Sequence, residues 1–205
     1  PYFRGQGIGH ALWKHGLAAC PATTVGLDGV VDQQDNYRKS RFTLAHRNIR
    51  YGGIPRFGAE KPDGLAQISS ENIDAIATYD RTFFVAPRMR FLVSWLETTG
   101  HVGYMHRIAG AVTGYGTIPP CRDDYKIGPL FADNAEIATR LFDALGPHSA
   151  GNPVFLDSPE PNSAAIGLCS RQGLEPIFET ARMYRGPAPD LALDRTLGIT
   201  SFELG

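Results

Sequence analysis

A glycine-rich turn placed directly before an amphipathic helix constrains the fold of this chain most. Arg4 to Gly9 reads RGQGIG, and apolar residues at positions 8, 12 and 19 predict a helix from about Ile8 to Ala19, which Pro21 ends. Because glycine has no Cβ, the backbone N–H groups of such a turn can approach an anion at the positive end of the helix. The turn therefore predicts a phosphate-binding loop within an α/β unit.

The glycine spacing excludes two other kinds of phosphate loop. A dinucleotide fingerprint needs G-x-G-x-x-G, but His10 follows Gly5 and Gly7, and Leu12 follows Gly7 and Gly9. A Walker loop needs Gly-Lys-Ser or Gly-Lys-Thr, and the sequence contains neither. A glycine turn that binds nothing is the remaining alternative.

The predicted elements suggest one topology present twice. After the helix, residues 23–31, 34–40 and 42–50 predict a strand, a short helix and a strand, and glycine and proline in residues 53–65 predict a linker. Residues 66–205 then predict the order β-α-α-β-β-β-α-β-α-β-β, with the last strand at 200–204. Residues 1–52 match only the end of that order. We expect two domains, 1–52 and 66–205, with the strands of each in a separate sheet.

Composition excludes several classes of partner. A net charge of −1 and a pI near 6.7 argue against nucleic acid. The three cysteines form no C-x-x-C pair and the six histidines are dispersed, which predicts no metal site and reduced thiols in a cytoplasm. The sequence has no apolar run of about 18 residues, so we expect no membrane span.

The segment Pro1–Gly9, PYFRGQGIG, resembles the pyrophosphate loop of GNAT N-acetyltransferases, whose pattern is P-x-[YF]-R-G-x-G-[IL]-G. The resemblance implies a mixed, mostly antiparallel sheet flanked by helices, with acetyl-CoA as co-substrate. It also implies transfer of the acetyl group to a small-molecule or peptide amine. The residues that would bind the cofactor are Arg4, Gly5, Gln6, Gly7, Ile8 and Gly9.

Tyr37 is the catalytic candidate that this resemblance provides. Residues 36–42, NYRKSRF, overlay the family's L-Y-E-K-x-G-F, with Arg41 in place of the glycine and Val30 in place of an asparagine earlier in the motif. In the family this tyrosine lies beside the thioester sulfur and can protonate the departing thiolate. A core tyrosine whose hydroxyl is satisfied locally is the alternative.

The later blocks GPLFAD, PVFLDSPEPN and FETARMYRGPAP resemble the second domain of bacterial tandem GNAT proteins. That domain is expected to be degenerate, because residues 128–134 lack the paired glycines, Asp133 would repel a pyrophosphate, and Cys169 replaces the tyrosine. Only the first copy is expected to bind CoA. The resemblance places its fourth strand, and any general base on it, before Pro1.

Some alternatives stay open at this point. The pair could bind acyl-CoA or regulate a partner without turnover, or the second domain could be a structural lid or a dimerisation unit of a homodimer. Cys169 is expected to be a buried, unreactive thiol rather than a nucleophile. Residues 79–81 and Arg88 fall where the family shapes its acceptor site, although a salt-bridged surface is the plainer interpretation.

Overall fold

The computed structural model describes residues 3, 5–58 and 64–204. The helices in this part are α1 (Ile8–Ala19), α2 (Gln34–Lys39), α3 (Ile73–Asp80), α4 (Met89–Glu97), α5 (Ala135–Leu145) and α6 (Ser163–Arg171). The strands are β1 (Val25–Val30), β2 (Thr43–Gly53), β3 (Leu65–Gln67), β4 (Val102–Ile108), β5 (Ala111–Ile118), β6 (Tyr125–Ile127), β7 (Leu130–Ala132), β8 (Val154–Pro159), β9 (Glu175–Arg185) and β10 (Thr196–Gly198).

These strands form two five-stranded sheets. Sheet I has the order β1-β9-β2-β8-β6, and sheet II has the order β10-β7-β5-β4-β3. Among the described strands, only β6 and β8 pair in parallel. The predicted α/β class, with mostly antiparallel sheets flanked by helices, is confirmed.

Sheet I is built from two β-α-β units that exchange strands. The first unit comprises β1, α2 and β2, and the second unit comprises β8, α6 and β9. Strand β9 lies between β1 and β2, and β2 lies between β9 and β8. The expectation of a separate sheet for residues 1–52 was therefore wrong. Each unit leaves a gap between its own two strands, and a strand of the other unit fills it.

The two faces of sheet I have different environments. Successive side chains of a strand point to opposite faces. On β9, Ala181 and Met183 pack in a core cluster with Trp13 of α1 and Tyr37 of α2. The alternating residue Arg182 instead lines a cavity. The helices α1 and α2 thus cover one face, and the opposite face carries the cavity.

Three predicted elements differ in detail. The strand predicted over 126–131 is divided into β6 in sheet I and β7 in sheet II. The predicted last strand is wrong: β10 ends at Gly198, and Ser201 Oγ accepts the backbone N–H groups of Glu203 and Leu204 in a turn. The predicted linker begins where β2 ends, and residues 59–63 lie outside the described residues. The division of the chain into two domains stays a prediction.

Candidate active site

The glycine turn forms the N-terminus of α1. Gly5 and Gly7 have φ angles of +80° and +73°, and Gly7 is the N-cap of the helix. As a glycine, this N-cap residue has no side chain to cap α1, and the first turn of the helix holds no acidic residue. A Cβ added at Gly5, Gly7 or Gly9 would meet nothing within 4 Å. The backbone therefore favours glycine at the first two positions, and no described residue crowds any of the three. This arrangement fits an anionic group such as a pyrophosphate. Arg4 lies outside the described residues.

Tyr37 is held on the same face of sheet I as α1. A Cβ on Gly29 of β1 would overlap the Tyr37 ring, so the glycine is what seats the tyrosine against the strand. The ring centroid lies 5.6 Å from that of Trp13, whose Nε1 donates to Ser40 Oγ at 2.8 Å. These contacts join α1 to α2. Tyr37 is consequently linked through Trp13 to the helix that follows the glycine turn.

Arg41 supports the alignment with the family motif. Its φ is +67°, a left-handed conformation that favours glycine, and the family pattern has glycine at this position. The backbone N–H groups of Arg41 and Phe42 close the end of α2 by donating to the carbonyls of Arg38 and Tyr37. The chain therefore has the backbone conformation that the motif requires here, although arginine replaces the glycine.

The corresponding helix start in the second half of the chain is closed. Asn134 Oδ1 caps α5 by accepting from the backbone N–H of Ile137 at 3.0 Å, and Glu136 lies in the first turn. Asp133 accepts hydrogen bonds from Tyr79 and Arg195. An anion would meet a capped helix and two carboxylates there.

Cys169 is unsuited to nucleophilic chemistry. Its side chain is fully buried in α6, with Sγ 3.8 Å from Ser158 Oγ, and burial raises its pKa to about 12. Since the thiolate is the reactive form, this agrees with the prediction of an unreactive thiol. No group of three His, Cys, Asp or Glu residues that could hold a metal occurs in the described part of the chain.

The cavity on the other face of sheet I has a volume of about 1030 Å³. Sequence reasoning missed it, because its floor and walls come from segments far apart in the chain. The lining includes Asp28, Arg50, Phe84, Phe178, Arg182 and Phe202.

Two cross-strand ion pairs form the floor of this cavity. Arg182 donates to Asp28 at 2.5 Å, and Arg50 donates to both oxygens of Asp157 at 2.7 and 2.9 Å. Both carboxylates are fully buried. Lys126 makes a second ion pair with Asp157 at 2.8 Å, and burial lowers the pKa of that lysine. The only sequence signal of these ion pairs was the pattern V-x-L-D, which occurs at residues 25–28 and again at 154–157.

Arg88 and Asp80 form a buried ion pair rather than the salt-bridged surface expected from the sequence. Their side chains are 9% and 2% exposed, with a separation of 2.8 Å, and the Tyr115 hydroxyl donates to the same carboxylate. The Arg88 guanidinium lies 4.1 Å from the ring centroid of Phe84. The pair therefore supports a wall of the cavity.

Known proteins show the same architecture. Residues 76–197 match the sequence profile described as an acetyltransferase (GNAT) domain. A holothin acyltransferase from Pseudoalteromonas sp. (strain SANK 73390) is 33% identical over 206 residues, covering 100% of this chain and 70% of the relative.

Two solved structures share the fold. A Pyrococcus horikoshii protein assigned as an acetyltransferase has a TM-score of 0.82 at 22% identity, covering 100% of this chain and 68% of its own. A tandem GNAT protein from the clavulanic acid pathway has a TM-score of 0.56 at 16% identity, covering 92% of this chain and 73% of its own. With its profile match and an acyltransferase relative along its whole length, the chain belongs to the GNAT family of acyltransferases.

Proposed function

We propose that this protein transfers an acetyl group from acetyl-CoA to the amine of a small molecule or peptide. The observation that carries the proposal is the glycine turn at the start of α1, a helix that packs on the same face of sheet I as Tyr37 and has no acidic residue in its first turn. A helix start with a glycine cap and no acidic residue in its first turn is suited to a doubly charged pyrophosphate. A tyrosine hydroxyl is neutral at pH 7 and can donate a proton.

The roles of the residues follow from this arrangement. The backbone N–H groups from Gln6 to Gly9 would bind the pyrophosphate, and Arg4 would add positive charge beside it. Bound acetyl-CoA would supply the acetyl group as an activated thioester. Tyr37 Oη would donate a proton to the sulfur as the C–S bond breaks, so that CoA leaves as the neutral thiol rather than as the thiolate.

The second unit is proposed to be structural. The start of α5, which precedes this unit, is capped and acidic, and Cys169 of α6 occupies the position of the tyrosine. We propose that residues 66–205 form a second, degenerate GNAT-like domain that binds no CoA. Its contribution to the site would be β9, which fills the gap between β1 and β2.

Thiol release from acetyl-CoA tests the proposal. Holothin is the first acceptor to assay, because the Pseudoalteromonas relative is named for it, and a panel of other amines follows. Amine-dependent release of free CoA, together with saturable binding of CoA in calorimetry, is the expected result. CoA binding without thiol release from any amine would indicate a sensor. Absence of CoA binding would contradict the assignment of the glycine turn as the pyrophosphate site.

A further inference from the structure

The walls of the cavity are mainly aromatic and aliphatic. Phe84, Val85, Phe178, Leu191 and Phe202 surround the floor of ion pairs. Ligand sites for small molecules are concave, mostly apolar and about 300–1,000 Å³ in volume, with a few polar groups that fix orientation. The volume of about 1030 Å³ lies at the upper end of this range and has room for a small organic molecule.

Arg50 is the polar group best placed to orient such a molecule. Asp157 accepts from its Nε and one Nη, yet a guanidinium has five N–H donors, so donors remain for a ligand. The side chain is 29% exposed, and its guanidinium lies 4.6 Å from the ring centroid of Phe202. A flat ligand packed beside Phe202 would bring an oxygen acceptor to the N–H groups of Arg50 that Asp157 does not use.

The charge around Arg50 also favours an acceptor oxygen. Arg50 and Lys126 share the single buried carboxylate of Asp157. Glu203 lines the cavity as well, but it is exposed and therefore screened by solvent. At the β1 end, Asp28 is already satisfied by Arg182, Asn48 and Thr180. Arg182 likewise uses two of its five donors, for Tyr184 Oη and Asp28, but its side chain is 19% exposed against 29% for Arg50. The more accessible donors thus lie at the Arg50 end.

We propose that this cavity receives the acyl acceptor, and that the acceptor is a small amine with an apolar, ring-sized body and a carboxylate or carbonyl oxygen bound by Arg50. The inference rests on the proposed transferase function. Strand β1 separates Tyr37, on one face, from the cavity on the other. The reacting amine would lie at β1 and the oxygen at β2, two strand spacings or about 10 Å apart.

A matched series of three amines tests the proposal. The probes are 2-phenylethylamine, which has no oxygen, 4-(2-aminoethyl)benzamide, which has a carbonyl, and 4-(2-aminoethyl)benzoate, which has a carboxylate. In the last two the amine and the oxygen lie at opposite ends of the ring. Calorimetry on the 205-residue chain is expected to show at least about tenfold tighter binding of an oxygen-bearing probe, because a hydrogen bond from the charged guanidinium is stronger than a neutral one. A stronger effect for the benzoate identifies charge as the determinant, and equal effects of benzoate and benzamide identify the carbonyl.

Variants assign the preference to Arg50. Arg50→Gln is expected to abolish it, and Arg50→Lys, which keeps a cation beside Asp157, is expected to lose most of it because an ammonium has no fork. Arg47→Gln is the control, because Arg47 lies on the same strand but pairs with Glu160 and Glu179 outside the cavity. Equal binding of 2-phenylethylamine, no saturable binding of either oxygen-bearing probe, or an unchanged preference in both Arg50 variants would overturn the proposal.

Thiol release with the same probes separates this inference from the transferase proposal. Oxygen-dependent binding without release from any amine would contradict the transferase function and leave the ligand class of the cavity supported. Release at the same kcat/KM for all three amines, unaffected by Arg50→Gln, would support the transferase function and overturn the assignment of this cavity as the acceptor site.

Discussion

The two β-α-β units of sheet I share one scaffold and use it differently. Their first strands begin with the same V-x-L-D pattern, and each aspartate is fully buried opposite an arginine of the other unit. Asp28 pairs with Arg182 across β1 and β9, and Asp157 pairs with Arg50 across β8 and β2. This near-twofold arrangement explains why neither unit is complete alone.

The units differ in the residue that follows each aspartate. Gly29 makes room for the ring of Tyr37, whereas Ser158 contacts the buried Cys169. Helix α6 buries three residues and is capped by Asn162, but α2 has no buried residue and no side-chain cap. The second unit is thus closed by its cap and its buried helix, whereas Tyr37 of the first unit is half-buried on the face that α1 covers.

The ion pairs offer the largest test of this comparison. Arg182→Met would leave buried Asp28 with neutral donors only, from Asn48 and Thr180. Breaking a buried pair in this way costs about 3–5 kcal/mol. Arg50→Met should cost less, about 1–2 kcal/mol, since Asp157 keeps Lys126. Urea unfolding measures both losses. Equal losses would show that Lys126 does not compensate Asp157.

Substitution of Tyr37 gives the next largest effect. Tyr37→Phe keeps the ring that packs on Gly29 and Trp13, so CoA binding should hold. Turnover should fall by roughly 10²-fold, or about 2.7 kcal/mol, as expected for the loss of a general acid. Tyr104→Phe, which removes a hydroxyl that contacts His148, is the control. Wild-type turnover in the Tyr37 variant would leave this residue with a packing role only.

A substitution at Gly7 tests whether the glycine turn before α1 binds CoA. Gly7→Val places a branched side chain at a φ of +73° in the space where the anion would bind. CoA affinity should fall about 30-fold, because losing one hydrogen bond to a charged group costs about 2 kcal/mol. Gly110→Val is the matched control, since Gly110 also has a positive φ and open surroundings but lies in the β4–β5 turn. Similar affinity in both variants would contradict the loop assignment.

The sequence predicted the local features well and the long-range ones poorly. The bounds of α1 and the left-handed turn before it follow from apolar spacing and glycine chemistry within about 20 residues. The exchange of β2 and β9 does not, because strand pairing depends on contacts between segments about 130 residues apart. The buried Asp80–Arg88 pair was missed for a related reason: its burial comes from packing that sequence periodicity does not encode.

The smallest predicted effect concerns the residue that pairs with each arginine across β2 and β9. Arg182 faces His46 on β2, and Arg50 faces Phe178 on β9, so the first unit has a titratable ring where the second has an apolar one.

Burial lowers the pKa of His46, with Asp28 opposing the shift and Arg182 adding to it. Because the unfolded chain then binds more protons below its ordinary pKa of about 6.5, the free energy of unfolding should fall as the pH drops from 6.5 through the folded pKa.

His46→Phe, which copies the second unit, should flatten this acid-side slope by at most about 1.4 kcal/mol per pH unit. Urea unfolding of wild type and variant between pH 7.5 and 5 measures the slope, which is independent of any constant change in packing. Burial also lowers the pKa of His148, so His148→Gln serves as a second variant that should remove a separate part of the slope. Parallel profiles for wild type and His46→Phe would mean that His46 gains its proton as readily in the folded protein as in the unfolded chain. That result would remove this difference between the two units.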